Sequence, residues 1–158
     1  MSLSSRLQCH LMSSGIDFEL VKHPAAPSTL AAARRANLPA HGVAKSVVVH
    51  HEEGYAMAVL PADRRVNLTA LQDLMHYRLG LAREEELYDL FFDCAPGAIP
   101  PVGALYGMKT VVDHELDENE WVWFEGGDHR TLVRTSHDGF ARLMGDVEHA
   151  SFCCPSWQ

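Results

Sequence analysis

The 158-residue chain has no run of 18 apolar residues, and its longest apolar stretches, such as Val47–Val49 and Ala56–Leu60, are strand-sized. A membrane-spanning helix is therefore not expected. No GxSxG, P-loop, GxGxxG or HExxH pattern occurs, so the common hydrolase, nucleotide and zinc-protease signatures are absent. The four cysteines (Cys9, Cys94, Cys153 and Cys154) have no CxxC spacing, and adjacent Cys153 and Cys154 would form a strained bridge, so reduced thiols are expected. Basic residues are few: 13 Lys plus Arg against 21 Asp plus Glu give a net charge of -8, which argues against coating nucleic acid by bulk electrostatics. Met1–Arg6 leads into Gln8, His10 and Ser13 rather than an apolar core, so a cytoplasmic location is expected.

What is present is an ordinary globular balance, 47% hydrophobic and 22% charged, over a length that buries a sizeable core without disulfides or metal. Ten histidines are scattered rather than set at ligand spacing, so no metal site is expected. Leu3, Leu7 and Leu11 predict an amphipathic helix over 2–13, stopped by Gly15. A short strand around Phe18–Val21 precedes His23-Pro24, and Pro27-Ser28-Thr29 caps a helix that stops near Leu38-Pro39. The runs 44–50 and 55–60, separated by Glu52-Glu53-Gly54, predict a hairpin. Asn67 or Thr69 starts a helix through Met75, and another fits 83–91, with Glu84-Glu85-Glu86 in its first turn. Strands at 109–113, 121–125 and 131–134 follow, and Ser136 opens a last helix. With no repeat or linker, the fold expected is a single mixed α/β domain over 1–158 with its core at about 15–150.

Three places combine isolated charge or unusual backbone. Lys45 heads an apolar strand, so its ammonium either snorkels from the strand end or is held in a cleft. The segment Asp93–Gly103 carries three prolines and two glycines. It is a shaped loop, either a rigid connection or a backbone surface able to approach a ligand carbonyl. The turn Gly126-Gly127-Asp128-His129 is the third, and the three together are candidates for one pocket.

These residues carry a resemblance. Val21-Lys22-His23-Pro24, Val43-Ala44-Lys45-Ser46-Val47-Val48, Val59-Leu60-Pro61-Ala62-Asp63-Arg64-Arg65-Val66-Asn67-Leu68 and Pro96–Gly103 appear in order. Val111-Val112-Asp113 and Gly126–His129 continue the series, which resembles the YbaK/prolyl-tRNA synthetase-associated domain family over about 15–150. The resemblance implies a mixed sheet or barrel flanked by helices. It also implies a trans-acting editing deacylase that hydrolyses the ester of a mischarged aminoacyl-tRNA, with tRNA-Pro the expected tRNA. Lys45 matches the family's required lysine, which binds the terminal adenosine region and offsets developing negative charge. Gly97 opens the Gly/Pro loop and shares the catalytic assignment. His23, Ser46, Ala98, Ile99, Pro100, Pro101, Gly103, Gly127 and His129 are the implied substrate-binding residues. Water and the free ribose hydroxyl supply attack and proton transfer, so no covalent nucleophile, metal or cofactor is expected.

Departures from the family pattern are Asp93-Cys94 before the loop and Ser46 after the lysine; both bear on which amino acid is removed. Arg34, Arg35, Arg64 and Arg65 are weaker candidates for RNA contact, on a face away from Glu84–Glu86 and Asp117–Glu120. The expected partners are the aminoacyl-tRNA acceptor end and a synthetase, with the protein a monomer or weak dimer and not at a membrane. Two other readings stay open: a non-catalytic nucleotide, tRNA or protein-binding module on the same fold, and a hydrolase using Cys94 or a metal with nearby histidine.

Overall fold

A computed structural model describes residues 3–156. Helix α1 (Ser5–Ser14) starts where the Ser4 hydroxyl accepts the Leu7 N–H, buries Leu7 and Leu11, and ends at Gly15 with φ 72°. Its expected first residue, 2, lies outside the described residues. After β1 (Glu19–Lys22), Ser28 caps α2 (Thr29–Arg35) by accepting from Ala31 N–H.

The expected hairpin forms in full. Strand β2 (Val43–His51) pairs antiparallel with β3 (Gly54–Pro61), from Ala44 opposite Pro61 to His51 opposite Gly54. β3 is buried on both faces: Met57 and Val59 enter one apolar cluster, Ala58 and Leu60 another. Each such fully buried Val, Leu or Met side chain contributes about 1.5–3 kcal/mol.

Next come β4 (Arg64–Val66), α3 (Leu68–Met75), β5 (Gly80–Leu81) and α4 (Glu84–Leu90). Asn67, rather than Thr69, caps α3 by accepting from Ala70 N–H. The chain from Phe91 to Val102 has no regular element and leads through a short turn into β6 (Lys109–Asp113). Then β7 (Trp121–Glu125), β8 (Thr131–Ser136), α5 (His137–Met144), β9 (Glu148–Ala150) and β10 (Cys153–Pro155) complete the described chain. Ser136 caps α5 as expected.

Among the described residues the fold is a mixed α/β one. Eight strands form a sheet in the order β1-β8-β7-β2-β3-β6-β9, with β5 also on β2. The path is open, ending on β1 and β9, rather than closed into a barrel. The β2/β7, β3/β6 and β6/β9 pairs are parallel and the rest antiparallel. A separate ribbon pairs β10 with β4. It is tied down by the buried Asp113 carboxylate, which accepts the N–H groups of Phe152 and Cys153 at 2.8 and 2.9 Å. This ribbon sets Arg64 and Arg65 beside the head of β2.

Among the described residues, no helix is long and apolar enough to cross a membrane.

Candidate active site

Parallel pairing with β7 holds the N-terminal end of β2, and the chain turns at Ala62–Asp63 to bring β4 back past it. Lys45 therefore opens onto a cavity of about 300 Å³ whose other walls include Thr29, Arg64, Arg65 and Gly97. The Lys45 ammonium takes part in none of the ion pairs between described residues. Burial pushes its pKa below the ordinary lysine range, while Asp63 and Cys153 pull the other way. Such a cation gains from any anion that enters the cavity. Arg64 is partly committed, its Nε donating to Glu115 at 3.1 Å, whereas Arg65 is exposed.

Gly97 is placed by its backbone. Its φ of 77° suits glycine, and an added Cβ would stand 3.3 Å from Cε1 of His129. The absent side chain leaves room for that ring, whose Nε2 contacts the Pro96 carbonyl oxygen. Ser46 holds the loop from the sheet side, its hydroxyl donating to the Ile99 carbonyl at 3.0 Å.

A second cavity of about 260 Å³ adjoins the first and is mainly apolar, walled by Leu87, Tyr88, Phe91, Cys94 and Ile99. Pro27 and Gly97 line both cavities, so the Gly97 backbone stands between a cationic chamber and an apolar one.

The remaining sequence candidates fall into two groups. Ala98, Pro100, Pro101 and Gly103 are buried behind the loop, where Gly103 packs against Thr110. Gly127 faces Ser4 and accepts the Ala95 N–H, so it supports the loop from behind. His23 is buried, its backbone N–H on the Arg130 carbonyl and its Nδ1 at 2.8 Å from the Pro24 carbonyl oxygen. None of these five positions, nor His23, lines either cavity. Arg34 and Arg35 are exposed on the last turn of α2 and also lie outside the cavities.

The expectation set Asp117, Glu118 and Glu120 away from the arginines, and among the described residues none of them pairs with one, but the turn 114–118 that carries two of them brings an acidic neighbour, Glu115, to Arg64. β6 runs directly into this turn, which puts Glu115 on Arg64 and Glu118 3.7 Å from His41. Asp113, Glu115 and Cys153 group their ligand-type atoms within 4.8 Å. Arg64 already supplies a cation to Glu115, and Asp113 is occupied by backbone N–H groups.

Cys94 borders the apolar cavity, but its thiol is pushed up to about 11, chiefly by burial, and its polar partners are Asp93 and Tyr106 rather than a histidine. A neutral thiol of this kind is a poor nucleophile. Cys94→Ala is therefore expected to leave the rate of any ester hydrolysis at this site within about threefold of the wild type; a loss of a hundredfold in a steady-state assay would restore the thiol mechanism.

Leu87, Tyr88 and Phe91 of the apolar cavity were not among the sequence candidates, nor were Thr29 and Glu125. Thr29 lines the cationic cavity, and its hydroxyl donates to the buried Glu125 at 3.4 Å. Glu125 also faces His129. Nothing in the run Trp121–Glu125 distinguishes this carboxylate from a solvated strand end; its burial arises only when α2 and the 126–129 turn close over it.

The site thus joins a cavity carrying three basic side chains to one walled mainly by apolar side chains, across the Gly97 backbone. The chain belongs to the aminoacyl-tRNA editing domain family, whose model matches residues 23–143. It is similar, at 28% identity and TM-score 0.80, to a solved structure described as a candidate trans-editing enzyme for prolyl-tRNA synthetase, covering 96% of this chain and 98% of that one. A hypothetical protein of known structure shares the fold at 22% identity and TM-score 0.84, covering 95% and 100% of the two chains. A candidate signal transduction protein from Marinobacter aquaeolei VT8 also shares it, at 17% identity and TM-score 0.80, covering 99% of this chain but 32% of that one. No curated protein matches the chain.

Proposed function

We propose that the protein is an aminoacyl-tRNA deacylase, which hydrolyses the ester between a wrong amino acid and the terminal ribose of a tRNA, with tRNA-Pro as the tRNA. The observation that carries this reading is the Gly97 backbone between the two cavities. An aminoacyl ester has the same division, with an anionic phosphodiester end, a carbonyl at the junction and a side chain beyond it.

In this arrangement Lys45, with Arg64 and Arg65, receives the phosphate and ribose of the acceptor end, and the acyl side chain enters the cavity of Leu87, Phe91 and Ile99. The carbonyl then lies at Gly97. As water adds, charge grows on the carbonyl oxygen, and the partly desolvated Lys45 ammonium stabilises it more strongly than a hydrated cation would. The neighbouring ribose hydroxyl relays the proton, so the chain contributes position and charge rather than a nucleophile.

The test is hydrolysis in water enriched in oxygen-18. Release of amino acid carrying one heavy oxygen, together with tRNA that can be charged again, supports ester hydrolysis by water. Binding of the charged tRNA with no release would instead make the protein a non-catalytic binding module.

A further inference from the structure

Of the buried carboxylates that the proposed reaction does not use, Asp113 and Asp128 are taken up by hydrogen bonds, while Glu125, 1% exposed at the end of β7, is not fully satisfied. One of its oxygens, Oε1, has no hydrogen-bond partner among the described residues. The other, Oε2, meets the Thr29 hydroxyl and lies 3.4 Å from Nδ1 of His129, an ion-pair distance without an aligned hydrogen bond. His129 has φ 60°, a left-handed conformation that directs its largely buried ring inward from the turn. Its second nitrogen, Nε2, is on the Pro96 carbonyl.

We propose that Glu125 is a positioning residue for the Gly97 loop, acting through His129, whose two ring nitrogens bridge the Glu125 carboxylate and the Pro96 carbonyl. The catalytic consequence rests on the deacylase reading above; the clamp itself does not.

Hydrogen-bond inventory decides the protonation state that this bridge needs. A carbonyl oxygen only accepts, so Nε2 must carry a proton. A neutral ring would then turn the lone pair of Nδ1 toward a carboxylate. Only the imidazolium presents N–H to both partners, and Glu125, buried without another cation at ion-pair distance among the described residues, favours that form.

The other charged groups around the ring are already engaged or more distant. Asp128, on the same turn, accepts from Arg130 N–H and the Thr131 hydroxyl. Lys22, on β1, donates to Thr131 at 3.0 Å. His23 lies on the segment after β1 that pairs with Arg130, and Asp93, at the start of the loop, accepts from Ser4 and Tyr106. The pKa of His129 is accordingly raised, first by Glu125 and then by the Pro96 carbonyl, against the opposing effect of burial. A group raised in this way keeps its contribution below the ordinary imidazole range and loses it as pH rises through the raised value. The clamp is thus closed in acid and opens as pH rises through the raised value.

The test uses Glu125→Gln, which keeps shape and removes charge, with Glu125→Asp as the charge-retaining control. NMR titration of the His129 ring is expected to move down by about one pH unit or more in Glu125→Gln and to stay near the wild-type midpoint in Glu125→Asp. Hydrogen exchange at the Ala95 and Ala98 amides, which donate to the Gly127 and Ala95 carbonyls, should quicken in Glu125→Gln. With mischarged tRNA, the ratio of wild-type to Glu125→Gln kcat/KM is expected near one at pH well below both measured His129 midpoints and to rise, up to about tenfold, as pH passes the variant's midpoint, since a one-unit shift changes the protonated fraction by up to tenfold. A ratio independent of pH, or an unmoved His129 titration, overturns the proposal. If wild-type protein releases no amino acid from any tRNA, the deacylase reading fails, while the titration and exchange data still decide the clamp.

Discussion

Lys45→Ala is expected to lower kcat for amino acid release by about 100- to 1,000-fold, the range found when one preorganised group facing a developing oxyanion is removed, or about 3–4 kcal/mol. The ammonium has little to hold in the folded chain. It is half-buried, its charge is disfavoured by that burial, and it takes part in no ion pair between described residues. A side chain in that state does not hold the fold together, so the melting temperature of Lys45→Ala should stay level or rise slightly. The two readouts must separate: activity lost and stability kept. Equal loss of both in a thermal melt and a deacylation assay would make Lys45 a structural residue, and full activity would remove it from the mechanism.

Gly97→Ala should have the next largest effect. A Cβ there would meet the His129 ring at 3.3 Å, and the φ of 77° is one that alanine disfavours by roughly 1–2 kcal/mol. The ring and the loop cannot both keep their places. Because the Gly97 backbone stands where the ester carbonyl would lie in the proposed reaction, a shift of a few tenths of an ångström together with the strained φ is expected to cost about tenfold or more in kcat/KM, with only a modest fall in melting temperature. Unchanged kinetics in Gly97→Ala would show that the loop backbone does not orient the reacting group.

The long elements were legible in the sequence because each carries a local signal. The caps Ser28, Asn67 and Ser136, the stop at Gly15 and the alternation through β3 are physical causes as well as markers. Strands β4, β5, β9 and β10, of two or three residues, have no period to read; they exist because distant chain supplies a partner, as Asp113 does for the β10 ribbon. The site divides in the same way. Lys45 and Gly97 stand out as an isolated charge and a special backbone position, and the family pattern points to both. Glu125 and Thr29 do not stand out, because a buried carboxylate and a wall hydroxyl are defined by what folds over them. The Arg64–Glu115 pair was not legible for a related reason, since one-dimensional charge spacing does not reveal that β6 delivers Glu115 to Arg64.

The central claim is that this chain hydrolyses aminoacyl esters of tRNA, and the most direct test is release of labelled amino acid from a panel of mischarged tRNAs. The panel should include alanyl-, cysteinyl-, seryl- and threonyl-tRNA-Pro, each compared with spontaneous hydrolysis. Turnover of at least one species well above the spontaneous rate, with many products formed per protein molecule, is the predicted result. Release no faster than in buffer for every species, from protein shown to be folded and to bind the charged tRNA, would contradict it.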